Sequence, residues 1–70
     1  MKSFLAKSST RVNSISYQPE TRELFVEFKR GGTYKYLEVP EEVYIALANT
    51  ESIGKTLNSS VIGKYQFIRT

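Results

Sequence analysis

The chain reads as an α+β domain: a three-stranded antiparallel β-meander, two short helices, and then a last short strand or an extended arm. Three observations predict this. Apolar and polar residues alternate over Asn13–Tyr17, Glu23–Lys29 and Thr33–Val39, the period of half-buried strands. Turn-forming residues, Gln18 to Arg22 and then Arg30-Gly31-Gly32, separate the three runs. After Pro40 the apolar spacing lengthens to that of a helix.

Residues 1–8 are expected to form a flexible N-terminal arm. In the first strand Ile15 and Tyr17 share one side, with Ser14 and Ser16 on the other. Pro19 supplies the φ that the first central position of a type I turn requires. A four-residue loop from Pro19 to Arg22 then sets Tyr17 against Leu24 and Ile15 against Val26, which gathers the apolar partners on one face. Leu24, Val26 and Phe28 are the core side of the second strand.

The third strand has two candidate registers. A two-residue Gly31-Gly32 loop sets Glu27 against Tyr36 and Lys29 against Tyr34, leaving both tyrosines on the polar face. A three-residue Arg30-Gly31-Gly32 loop, with Gly32 left-handed in a bulge, sets Val26 against Tyr36 and Phe28 against Tyr34. It also places Glu27 across from Lys35, a favourable ion pair, and is the preferred register.

Val39-Pro40-Glu41-Glu42 reads as a helix start, with Pro40 at the first helical position and two carboxylates at the positive end of the dipole. Val43 with Leu47 and Tyr44 with Ala48 form its apolar stripe, and Asn49-Thr50 ends it. Ser52 is the expected cap of a second short helix carrying Ile53 and Leu57, closed by Asn58 and the Ser59-Ser60 pair. Tyr65 and Phe67 alternate in the closing segment.

Seventy residues form one domain, near the lower limit for a core without disulfides. Four Phe and five Tyr supply much of the buriable area, and an exposed sheet edge would support a monomer or a weak homodimer. The absence of Cys fits a reducing compartment. Met1 to Ala6 is too short for a signal-peptide core, and no stretch approaches the ~20 apolar residues of a membrane span. The expected location is therefore cytoplasmic. The net charge of +3 is unevenly placed. Met1 to Pro19 holds Lys2, Lys7 and Arg11, and Ser52 to Thr70 holds Lys55, Lys64 and Arg69, with no acid in either stretch. Between Glu20 and Glu51 lie all seven Glu against Arg22, Lys29, Arg30 and Lys35, a net of −3. If the ends meet, they form a basic face suited to a polyanion.

The chain holds no His, Cys or Asp, so thiolate or imidazole zinc sites, Ser-His-Asp and Cys-His nucleophiles and EF-hand loops fail on residue type. The reading is of a non-enzymatic module with no cofactor and no metal. Gly54-Lys55-Thr56 imitates the end of a phosphate-binding loop, but the earlier glycine is replaced by Asn49 and a helix stands where a strand is needed. A single phosphate held by Ser52, Gly54 and Lys55 is the milder alternative, and close helix packing at Gly54 is the bland one. The positive feature is Tyr34-Lys35-Tyr36 near Lys29-Arg30. Two aromatics on alternate strand positions with cations at the turn can stack bases and hold phosphates, with Lys64 as a further contact. The competing account makes both rings core.

The pattern as a whole resembles the KTSC domain family, named for the C-terminal extension of some lysyl-tRNA synthetases and found also as small free-standing bacterial and phage proteins. The residues that carry the resemblance are Ser9, Ile15-Ser16-Tyr17, Leu24 through Phe28, Gly31, Tyr34-Lys35-Tyr36, Val39-Pro40, Val43-Tyr44, Leu47, Ser52 through Lys55, Asn58 and Tyr65. The Tyr-x-Tyr pair is the family's hallmark. The resemblance implies a free-standing domain of unestablished function, with RNA binding suggested by its attachment to a synthetase. The expected function is binding of RNA or another single-stranded nucleic acid through a basic and aromatic sheet surface. The alternatives are a phage or prophage module docking a host protein, and a binder of a small phosphate or nucleotide ligand.

Overall fold

The computed structural model describes residues 1–6 and 10–70. Four strands precede the helices rather than three: β1 (Lys2–Leu5), β2 (Val12–Gln18), β3 (Glu23–Phe28) and β4 (Gly32–Tyr36). Helices α1 (Glu41–Asn49) and α2 (Ile53–Ser60) follow, and β5 (Phe67–Arg69) returns to the sheet. The sheet is antiparallel in the order β1-β2-β3-β4-β5, so the helical crossover returns the chain beside the strand it left.

The correction at the N-terminus concerns the expected arm over residues 1–8. Lys2–Leu5 is a paired edge strand, with Phe4 opposite Ile15, and residues 7 and 8 lie outside the described residues. Phe4 is its one half-buried anchor, resting 5.7 Å from the Tyr44 ring. A four-residue edge strand with one inward apolar residue is held by backbone pairing rather than by a hydrophobic pattern.

The β2–β3 register is the expected one, with Ile15 opposite Val26 and Tyr17 opposite Leu24. Its four-residue loop is closed by the Arg22 amide donating to the Gln18 carbonyl at 2.8 Å, with Arg22 left-handed at φ 58°. The β3–β4 register differs from both expectations. Phe28 stands opposite Gly32, Val26 opposite Tyr34 and Leu24 opposite Tyr36, so the loop is Lys29-Arg30-Gly31. Gly31 (φ 136°) and Gly32 (φ 81°) both adopt conformations that favour glycine. The glycines thus mark the junction of loop and strand instead of the loop's middle. The shift from the preferred register is two residues, an even number, so Tyr34 and Tyr36 keep the helix-facing side. The expected Glu27–Lys35 pair does not form. Glu27 faces Thr33 and accepts hydrogen bonds from Asn13 Nδ2 (3.0 Å) and Ser14 Oγ (2.9 Å), while Lys35 reaches diagonally to Glu23 at 3.3 Å.

Both helices cover one face of the sheet. Ile15, Tyr17, Leu24 and Val26 meet Tyr44 and Leu47 of α1, Ile53 and Leu57 of α2, and the connecting Val39 and Val61. Tyr17 stacks on Tyr44 with ring centres 5.4 Å apart, and its hydroxyl donates to the Val39 carbonyl at 2.6 Å. Pro40 occupies the N-cap of α1 in extended conformation, one position earlier than expected. Ala48 is exposed, so the stripe is Val43, Tyr44 and Leu47. Ser52 is the N-cap residue of α2, but its side chain makes no capping bond. The turn is organised instead by Thr50 Oγ1, which accepts from the Ser52 amide at 3.1 Å and from Thr56 Oγ1 at 2.9 Å. Tyr65 precedes β5, which extends the sheet beyond Tyr36, with all three of its residues exposed.

Candidate nucleic-acid interface

The helices end before the sheet does. β5 pairs Phe67 with Tyr36 and Arg69 with Tyr34, and these residues share the helix-facing side. The result is an aromatic run at the sheet's far end, buried at Tyr36 and open at Phe67. Phe28 meets Tyr34 edge-on at 5.4 Å, Tyr34 lies 5.2 Å from Phe67, and Phe67 lies 5.7 Å from Tyr36. The Arg69 guanidinium carbon sits 5.9 Å from the Tyr34 ring centre, within cation–π range. Phe67 is 55 % exposed. These rings, with Arg11, Arg30 and Ile62, line a groove of about 320 Å³. Its aromatic floor and cationic rim are the chemistry that stacks a base and neutralises its phosphate. Burial, and secondarily the neighbouring Tyr34, push the Tyr36 phenol above its ordinary ionisation range, so it is neutral at physiological pH.

The residues expected to form a nucleic-acid surface are divided by the fold. Lys29 and Arg30 are exposed in the β3–β4 loop, and Arg30 borders the groove. Tyr34 is half-buried on its floor, and Tyr36 is only 4 % exposed. Tyr36 therefore cannot offer a ring face, as the core reading of the two tyrosines held. Lys35 projects from the opposite side of the sheet, half-buried and paired with Glu23. Glu23 is held below the ordinary carboxylate range by the Thr21 hydroxyl first and by Lys35 second. Lys64 is exposed in the turn after α2, outside the groove.

Ser52, Gly54 and Lys55 do come together at the start of α2. With Arg11, Asn58 and the opposing anion Glu51 they line an open depression of about 380 Å³. A Cβ on Gly54 would meet no atom within 4 Å, so close helix packing does not account for this glycine. Arg11 borders both the depression and the groove.

Phe67, Arg69 and Arg11 are the residues that sequence reasoning missed. The signal for the first two was Tyr65-x-Phe67-x-Arg69, a strand-like alternation whose cation lies on the aromatic side. Arg11 had only its place in the basic N-terminal stretch. Among the described residues no group of three or more His, Cys, Asp or Glu is placed to hold a metal ion, and no helix is long and apolar enough to cross a membrane.

Fold and surface define a two-layer α+β domain with one helix-covered sheet and an aromatic groove where the cover ends. The chain belongs to the KTSC domain family, whose sequence model matches residues 8–65. It is similar to a KTSC domain protein of known crystal structure from Yersinia pestis, with a TM-score of 0.92 and 32 % identity, covering 99 % of this chain and 96 % of that one. It is 41 % identical over 54 residues to an uncharacterised protein of Stutzerimonas stutzeri, covering 77 % of this chain and 76 % of the relative. A third similarity, 36 % over 56 residues, is to a lysine–tRNA ligase of Nostoc punctiforme; it covers 80 % of this chain and 10 % of the ligase.

Proposed function

We propose that the domain is a non-enzymatic cytoplasmic module that binds single-stranded RNA at the β4–β5 groove. The observation that carries this reading is the exposed Phe67 ring beside Tyr34, rimmed by Arg11, Arg30 and Arg69. An unpaired base stacks on Phe67, and the cations take flanking phosphates. The occurrence of a similar segment in a lysine–tRNA ligase, whose name makes tRNA its substrate, supports RNA as the polymer. The reading places Arg69 between two partners, the Tyr34 ring and a phosphate, with Lys29 as an additional contact at the loop.

Fluorescence anisotropy with a short single-stranded RNA tests it. Neutralising about four phosphates predicts a slope of log K against log salt near −3, at ~0.7 per phosphate. Replacing Lys29 and Arg30 with Ala flattens the slope by roughly one unit. Phe67→Ala costs ~1–3 kcal/mol of binding and leaves the slope unchanged, because stacking releases no counterions. No measurable affinity at ~50 mM salt sinks the reading.

One observation favours a second reading, the protein-docking module of phage or prophage type. On the sheet face away from the helices, Phe25 lies in a shallow depression of about 260 Å³ with Met1, Ser14, Ser16 and Thr33. Leu5 and Ile68 are exposed on the same face. Retention of a host protein that Phe25→Ser abolishes, without affinity for RNA, would establish that reading instead.

A further inference from the structure

Tyrosine hydroxyls taken out of water ordinarily find a hydrogen-bond partner. Tyr17 obeys this rule through the Val39 carbonyl. The Tyr36 side chain is 4 % exposed, and its hydroxyl is not among the buried polar atoms left without a partner, so the hydroxyl keeps its contact with water. What remains accessible of Tyr36 borders the groove, and its ring centre stands 5.7 Å from that of Phe67. A ligand in the groove takes the place of that water as the hydroxyl's partner.

Resting on the RNA-binding reading, we propose that the Tyr36 hydroxyl is the specificity-determining contact of the site, hydrogen-bonding the polar edge of an unpaired base whose face lies on Phe67. The division of labour is physical. Stacking accepts any base, since every base has a π-face, whereas a hydroxyl at the groove floor favours a base that presents a complementary atom there. The phenol keeps its proton at neutral pH, so it donates as well as accepts. The groove, at about 320 Å³, lies at the small end of the roughly 300–1,000 Å³ range of ligand sites. It accommodates one nucleotide at a time, so the base that is read is unstacked from its neighbours.

The test compares wild type with Tyr36→Phe and Phe67→Ala on four ribo-oligonucleotides of equal length: oligo-A, oligo-C, oligo-U and an abasic backbone. Wild type is expected to prefer one base and to bind the abasic strand weakest. Tyr36→Phe is expected to lose roughly 3- to 10-fold on the preferred base, with its preference among bases flattened. Its affinity for the abasic strand, its salt slope and its melting temperature should stay at the wild-type values. Phe67→Ala should lower all three bases towards the abasic strand. If Tyr36→Phe keeps the wild-type affinities and preference while Phe67→Ala weakens binding, the hydroxyl contact is overturned and the groove reading stands. If wild type binds none of the four, both fall.

Discussion

The helix-facing side of the sheet has two ends that use the same residue types to opposite effect. At the β1–β3 end the cover is tight over β2 and β3, where Ile15, Tyr17, Leu24 and Val26 are all buried. Phe4, Tyr17 and Tyr44 form a contiguous aromatic group, and the Tyr17 hydroxyl is bonded to the Val39 carbonyl. At the β4–β5 end Phe28, Tyr34, Tyr36 and Phe67 form a second aromatic group, buried at Tyr36 but open at Phe67, which is left exposed. The difference is one of geometry more than of composition. Two helices of nine and eight residues span about 13 Å each, too short to roof five strands lying about 4.8 Å apart. The strand added last, β5, overhangs the roof. A domain this small keeps its stability at one end of the sheet and exposes aromatic surface at the other.

The sharpest way to break this comparison is a cavity at the sealed end. Leu24 is fully buried in a central strand, and Leu24→Ala should cost about 2–5 kcal/mol. That is comparable with the whole stability expected of a domain below ~70–80 residues, so the variant should be largely unfolded by circular dichroism at 25 °C. A cooperative urea transition close to that of the parent would mean that the sealed end does not carry the fold.

Paired hydroxyl deletions sharpen the comparison at the level of one atom. Tyr17→Phe removes the donor to the Val39 carbonyl and leaves that acceptor buried, an expected loss of ~1–3 kcal/mol in urea denaturation. Tyr36→Phe removes a hydroxyl that stays in contact with water and should change stability by less than ~0.5 kcal/mol. Equal losses in the two variants would show that the ends are alike, and that Tyr36 has a partner within the fold.

The sealed end was largely legible in the sequence, and the open end was not. Ile15, Tyr17, Leu24 and Val26 announce their shared face by strict alternation, and the loop between their strands fixes the register through its length. The first helix is likewise carried by local spacing. β1 escaped because Lys-Ser-Phe-Leu has no period to detect, and its existence depends on an edge that only the folded sheet provides. The β3–β4 register escaped because two adjacent glycines allow several loops. The parity of Tyr34 and Tyr36 survived only because the error was an even number of residues. The groove escaped for a deeper reason. Phe67 and Arg69 reach Tyr36 and Tyr34 after a crossover of two helices, and such long-range pairing leaves no trace in local pattern. Of the groove's lining, Arg30, Tyr34 and Tyr36 were named from the sequence; the exposed platform and two of the three arginines beside it were not.

The smallest expected effect concerns how far water reaches the floor of the open end. Burial raises the Tyr36 ionisation above its ordinary value of 10.0, with the neighbouring Tyr34 adding to the shift. In the unfolded chain the phenol titrates near ~10, whereas in the folded domain it holds its proton to higher pH. Above pH ~10 the unfolded state has therefore released a proton that the folded state still binds, and stability falls as pH rises. The contribution is fully present below pH ~10 and is lost as pH climbs through the folded value. Other tyrosines and lysines titrate in the same window, so the informative quantity is wild-type stability minus that of Tyr36→Phe. This difference should be flat from pH 7 to about 9.5 and should then fall, by at most ~1.4 kcal/mol per pH unit. Urea midpoints collected at closely spaced pH values resolve it. A difference that stays flat to pH ~11 would mean that water solvates the phenolate freely, making the groove floor as open as its rim and the two ends of the sheet more different than their burial suggests.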